Sequence, residues 1–102
     1  MPDRKNVPLS HIFIPSKVPS KKLMIILHGR GDSSTGFSFL PPYLNIEDMN
    51  YILLDAPYDY FDGFSWYDLP PNQLEGILHS RTLLTETLDR LFEEEFNAHE
   101  SF

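Results

Sequence analysis

The chain has 102 residues, of which 41% are hydrophobic and 14% aromatic, and no cysteine. That suffices for one small packed domain, 1–102, and excludes intrinsic disorder, disulfides, thiolate metal sites and a cysteine nucleophile. The net charge of −7 divides into +5 over residues 1–30 and −12 over residues 31–102, an acidic body that disfavours nucleic acid and anionic membrane as partners.

Residues 1–10 are polar, and no stretch holds the ~20 apolar residues of a membrane span. A cytoplasmic location is the resulting expectation. His11-Ile12-Phe13-Ile14, stopped by Pro15, reads as a peripheral strand. After a polar connector, Leu23-Met24-Ile25-Ile26-Leu27 reads as a central strand buried on both faces. It ends at His28-Gly29-Arg30-Gly31-Asp32, where the glycines let the backbone turn tightly. Asp32, Ser33 and Ser34 are candidate N-caps for a following helix. Phe37, Leu40 and Leu44 have helical spacing, but Pro41-Pro42 interrupts them, which predicts a short or broken helix.

Tyr51-Ile52-Leu53-Leu54 reads as a second buried strand, ended by Asp55-Ala56-Pro57. The aromatic run from Tyr58 to Pro71 reads as an ordered loop. The clearest helix runs from Asn72, with Glu75 three residues on as in a capping box, to Phe96. Its apolar stripe is Ile77, Leu84, Leu88 and Leu91, widened by Leu74, Leu78 and Phe92. Glu93-Glu94-Glu95 stands where the helix dipole favours bases, so that end frays or is held by another contact. The order of elements predicts an α/β fold with a largely parallel sheet. A final helix in such a fold feeds another strand, so a sheet that stops at Glu100-Ser101-Phe102 reads as unfinished.

The turn at His28–Asp32 is the strongest chemical signal, because an unencumbered turn after a buried strand can aim a backbone N–H at developing negative charge. A plain tight turn is the bland alternative. A dinucleotide fingerprint competes less well, since Ser34 stands where its third glycine belongs. His28 is a candidate general base or a hydrogen-bonding strut, and the strut is the commoner role at a buried strand end. His11, His79 and His99 have no metal-ligand spacing, and Asp55, Asp59, Asp62 and Asp68 suit turn capping. Trp66, Phe64 and Tyr67 form either an apolar pocket or core packing. No Gly-x-Ser-x-Gly elbow surrounds Ser33, Ser34, Ser38 or any other serine.

Three blocks together, Leu27 to Ser33, Leu54 to Pro57 and Gly63 to Leu69, resemble the phospholipase/carboxylesterase family of α/β-hydrolases, which includes bacterial carboxylesterases and acyl-protein thioesterases. The resemblance covers nearly all of this chain but only about the first half of a family member. It implies an incomplete α/β-hydrolase sheet of about three mostly parallel strands, with one short and one long helix, lacking the nucleophile strand. It also implies that the Arg30 N–H contributes to an oxyanion hole within the loop of His28, Gly29, Gly31 and Asp32. Trp66, with Phe64 and Tyr67, would border the acyl pocket. The family's serine, aspartate and histidine would all fall beyond Phe102, with Glu100-Ser101-Phe102 opening the serine-bearing strand.

The implied activity is hydrolysis of carboxylic esters or thioesters through an acyl-serine intermediate, with no cofactor and no metal. This chain would supply the oxyanion-loop half and be inactive alone, taking a small-molecule ester only when a C-terminal half completes it. The alternative is a non-catalytic remnant that serves as an oligomerising or interaction module. Either way the strand Leu23–Leu27 has an open edge, and an open hydrophobic edge favours self-association or pairing. A nucleotide-binding half-domain is a third, weaker reading.

Overall fold

The computed structural model describes residues 7–67, 71, 73–94, 96 and 101–102. Asp68, Leu69, the expected cap Asn72, Glu95, His99 and Glu100 lie outside them. Three strands, β1 (His11–Ile14), β2 (Leu23–Leu27) and β3 (Asn50–Leu54), form a sheet in the order β1-β3-β2. β3 is the central strand, because every residue of it is buried. β2, expected at the centre, flanks it and leaves Leu27 half exposed. Two runs of apolar residues of similar length look alike in sequence, and only pairing decides which lies inside.

β2 pairs with β3 in parallel, Leu27 beside Leu54, whereas β1 pairs antiparallel, His11 beside Leu54. The expectation of a mostly parallel sheet therefore needs correcting. The connector 15–22 crosses the start of β3, so β1 and β2 lie on its two sides and run in opposite senses. The aromatic loop also contains order not expected of it: β4 (Tyr58–Tyr60) and β5 (Gly63–Ser65) make an antiparallel hairpin. Its turn places Phe61 at φ 53, a region an ordinary side chain seldom occupies, so the glycine or asparagine that announces a tight hairpin is missing.

Alternation along the strands builds a core on each face. Leu23, Ile52 and Leu54 join Leu9, Leu91 and Phe96 on one side. Ile26, Tyr51 and Leu53 join Met49 on the other, with Phe37 and Leu40 packed against them. The β2–β3 crossover holds a single 3₁₀ turn (Thr35–Phe37) and a short helix α1 (Leu40–Leu44). Pro41 and Pro42 do not break α1 but begin it, since a first helical turn has no use for their missing N–H. Asn45 closes it in the left-handed conformation, φ 51.

The long helix α2 (Gln73–Glu94) covers the other face. Its closest approach is made by Gly76, Ser80, Thr87 and Leu91, all buried. Much of the stripe read from the sequence instead faces outward: Leu74 is 68%, Ile77 48% and Leu78 51% exposed. Small residues let the helix sit close to the sheet, which turns the bulky ones to its flank. The acidic C-terminal end is held by Phe96, whose N–H donates to Leu91 (2.9 Å) and whose ring lies 5.8 Å from Phe13. Among the described residues no helix is long and apolar enough to cross a membrane.

Buried Asn50 ties the start of β3 to the preceding connector. Its Nδ2 donates to Ser20 and Lys22 carbonyls (2.9 Å each), and its Oδ1 accepts the Ser16 N–H at 2.9 Å. Asn50→Ala would take this partner from the Ser16 N–H and the Ser20 carbonyl, while the Lys22 carbonyl keeps the Asn50 N–H (3.1 Å), and is expected to cost about 1–3 kcal/mol. Urea denaturation at fixed protein concentration measures it, and a loss below about 0.5 kcal/mol, the range of ordinary surface changes, would show that the connector does not depend on this side chain.

Candidate functional site

Parallel pairing brings the carboxyl ends of β2 and β3 side by side, so the turn His28–Asp32 lies next to Asp55-Ala56-Pro57. His28 is buried and joins the two. The Ala56 N–H donates to Nε2 at 3.0 Å, which makes Nε2 the acceptor and leaves the proton on Nδ1. Nδ1 then donates to the Gly29 carbonyl at 2.6 Å. Both nitrogens are occupied by backbone, so His28 acts as a neutral strut rather than as a base facing a substrate. Its ring stacks on Trp66 at 5.5 Å, and the Trp66 indole N–H donates to the His28 carbonyl at 2.9 Å.

The outer half of the turn is fastened to the β4–β5 hairpin. The Gly31 N–H donates to the Phe64 carbonyl (2.8 Å), and the Phe64 N–H donates to the Asp32 carbonyl (2.9 Å). Asp32 and Phe64 thus form an antiparallel bridge. Gly31 adopts φ 86, where only glycine is unstrained. The Asp32 carboxylate accepts the N–H of Ser33, its neighbour (2.8 Å). Asp55 takes a similar capping role over a longer distance, accepting the buried Ser34 N–H at 2.7 Å. Neither Ser33 nor Ser34 receives an elbow-like setting, and Ser34 begins the 3₁₀ turn without a side-chain cap of its own.

With Gly31 and Asp32 anchored, the Arg30 N–H makes no hydrogen bond to any described residue. The Arg30 side chain is placed as well. Its guanidinium carbon lies 4.5 Å from the Tyr60 ring centroid and 5.0 Å from that of Tyr67. This clasp is invisible in the sequence, because thirty or more positions separate Arg30 from either tyrosine. Of the aromatic trio singled out there, Tyr67 holds Arg30, Phe64 supplies backbone bonds to the turn, and Trp66 packs on His28. Trp66 also borders a mostly apolar groove of about 340 Å³ lined by Leu27, Ile77, Arg81, Leu84 and Leu88.

The groove runs beside the free edge of β2. There the Phe102 N–H donates to the Leu23 carbonyl, and the Ile25 N–H donates to the Phe102 carbonyl, each at 2.8 Å. That pattern is a parallel bridge opposite Met24. Among the described residues no group of three His, Asp or Glu converges as metal ligands would.

No protein-family profile and no curated protein sequence matches this chain. Among solved structures it is similar to esterase PE8, with a TM-score of 0.73 and 21% identity over 91% of this chain and 49% of that one. The chain thus spans about half the length of that esterase and shares the fold of that half.

Gly63 explains how the hairpin comes so close to the turn. A Cβ there would run into the backbone of Gly31 and Asp32, 2.6 Å from the Asp32 carbonyl oxygen. Gly63→Ala is expected to lose about 1–3 kcal/mol, the cost of overpacking against backbone that cannot yield. Gly29, with nothing within 4 Å of a built Cβ, is the control, and Gly29→Ala should stay within about 0.5 kcal/mol of the parent. Urea denaturation read through Trp66 fluorescence compares the two, and equal losses would mean that the hairpin contact does not constrain the turn.

Proposed function

We propose that the chain is the oxyanion-loop half of a serine hydrolase of the phospholipase/carboxylesterase type, acting on carboxylic esters or thioesters. One observation carries the reading: the Arg30 N–H, unpaired among the described residues, on a turn pinned at both ends, at the carboxyl edge of a sheet whose fold is shared with half of an esterase. The His28 strut holds the inner end, Gly31 and Asp32 hold the outer end, and Arg30 between them presents a donor that need not reorganise. Such a donor acts on the oxygen of a carbonyl becoming tetrahedral, where charge develops in the transition state. The groove beside Trp66 and Leu27 supplies apolar wall for an acyl chain.

The nucleophile has to arrive from another stretch of polypeptide. Phe102 lies along the free edge of β2 and runs parallel to it, so polypeptide continuing in that direction passes Ile25 and Leu27 towards the His28 turn. A serine delivered at the end of such a strand would meet the Arg30 N–H. Its attack would form the acyl-serine with loss of alcohol or thiol, and water would release the acid. This chain alone holds the donor without the nucleophile and is inactive in this reading.

A second reading is favoured by the exposed Leu74, Ile77 and Leu78 on α2 and the half-exposed Leu27 beside them. These suit a non-catalytic module that buries its edge and groove against another polypeptide. Intact mass of the native product separates the two. A species near twice 11.9 kDa carrying a Gly-x-Ser-x-Gly strand supports the hydrolase, and a native 11.9 kDa product overturns it in favour of the module. In a complete polypeptide, Arg30→Pro removes the free N–H together with the guanidinium, so Arg30→Ala, which loses the side chain alone, is the control; the Pro variant is expected to lower kcat about 10²–10³-fold beyond the Ala variant, with little change in KM. An unchanged kcat would remove Arg30 from the oxyanion hole.

In both readings the isolated 102-residue chain associates. Sedimentation at micromolar concentration should show dimers or larger species, and a stable monodisperse monomer would contradict the exposed edge as an interaction surface.

A further inference from the structure

The Arg30 side chain does something that the hole itself does not require. Its guanidinium rests against two tyrosine rings, 4.5 Å and 5.0 Å from their centroids, and a cation over two faces is held by the ring quadrupoles at a fixed position. Tyr60 is itself braced, with its ring edge-to-face against Phe61 at 4.7 Å and its strand paired to β5 through Gly63. Among the described residues no carboxylate lies within ion-pair distance of Arg30, although Lys22 does find Asp48 at 2.8 Å. Among the described residues the charge is therefore positioned by neutral groups. Among the described residues none accepts a hydrogen bond from the guanidinium, which leaves its planar fork of donors for a ligand.

We propose that Arg30 forms an anion subsite, which selects ligands bearing a carboxylate or phosphate group next to the carbonyl held by the turn. The subsite rests on the reading of this turn as the oxyanion loop. The main-chain donor and the side-chain cation come from one residue, so an anionic group bound by the guanidinium lies within one residue's reach of the hole. A planar fork matches the two oxygens of a carboxylate or phosphate in a way that a lysine would not. The remainder of the chain adds selectivity by contrast. Net charge over residues 31–102 is −12, and the nearby hairpin carries Asp59 and Asp62, so on this turn and hairpin Arg30 is the group that attracts an anion.

Trp66 is the sole tryptophan and packs on the same turn through His28, which makes its fluorescence a local reporter. The 102-residue chain is titrated with phenylphosphonate, benzoate, and their neutral methyl esters. Anions are expected to bind about tenfold more tightly than their neutral counterparts, the scale of a charge-assisted hydrogen-bonded pair. Arg30→Gln should abolish that preference, and Tyr60→Leu should reduce it by releasing the side chain. Arg30→Lys, which keeps the charge without the fork, should recover only part of it. A stronger response to phenylphosphonate marks a phosphate group as the ligand chemistry, and a stronger response to benzoate marks a carboxylate.

Equal affinity for anion and ester, an anion preference that survives Arg30→Gln, or no response to either anion at millimolar concentration would each overturn the subsite. Circular dichroism confirms that the exposed substitutions leave the fold intact. The hydrolase reading stands or falls separately, on the native mass and on kcat of a complete polypeptide. An anion preference without any esterase would sink that reading and leave Arg30 as an anion-binding group with no adjoining carbonyl site.

Discussion

One buried imidazole decides the shape of the site. β2 and β3 end together, and without a link their following turns would be free to splay. His28 supplies the link by accepting the Ala56 N–H and donating to the Gly29 carbonyl. Each bond leaves its partner no buried polar group unpaired, which matters more than the roughly 0.5–1.5 kcal/mol such a bond adds. Trp66 covers the ring and donates to the same residue's carbonyl. The arrangement explains why a histidine stands at the strand end: an acceptor and a donor on opposite sides of one rigid ring fit two backbones at once.

From that strut the order spreads outward by backbone pairing rather than by packing. Gly31 and Asp32 bond to Phe64, and Gly63 lets the hairpin come within reach. The hairpin in turn delivers Tyr60 to the Arg30 side chain. A strained residue, Phe61 at φ 53, sits at its tip, at a cost of about 1–2 kcal/mol relative to a residue suited to that conformation. The strain lies in the element that fixes the turn from outside.

The parts of this that could be read from the sequence are those set by local pattern. Apolar runs located β1, β2 and β3, and the glycines located the turn. A histidine at a buried strand end was expected to be a strut, and both of its nitrogens are engaged by backbone. What could not be read was set by pairing across distance. The β4–β5 hairpin has Phe61-Asp62 where a hairpin normally announces itself, and the clasp on Arg30 joins residues 30, 60 and 67. Pro41-Pro42 reads as an interruption by the rule for helix interiors, whereas the pair stands at a helix start, where that rule has no force. The stripe on α2 was seen, but its direction was not, since periodicity shows that a face exists and says nothing of which side meets the sheet.

That last point links the helix to the strand edge. Full burial of a leucine or isoleucine is worth about 1.5–3 kcal/mol, and α2 leaves Leu74, Ile77 and Leu78 about half exposed or more while burying Gly76, Ser80 and Thr87. A helix selected only to cover this three-stranded sheet would be turned the other way. Its rotation makes sense if two surfaces compete for it, the sheet beneath and something beside it, and the groove between Leu27 and Leu88 lies on the second side. The same side carries the free edge of β2, where Phe102 already occupies the Leu23 and Ile25 groups. The part of the β2 edge beyond the Phe102 bridge and the outward apolar face of α2 thus border one groove, and in the reading proposed above a strand extending along β2 would cover both.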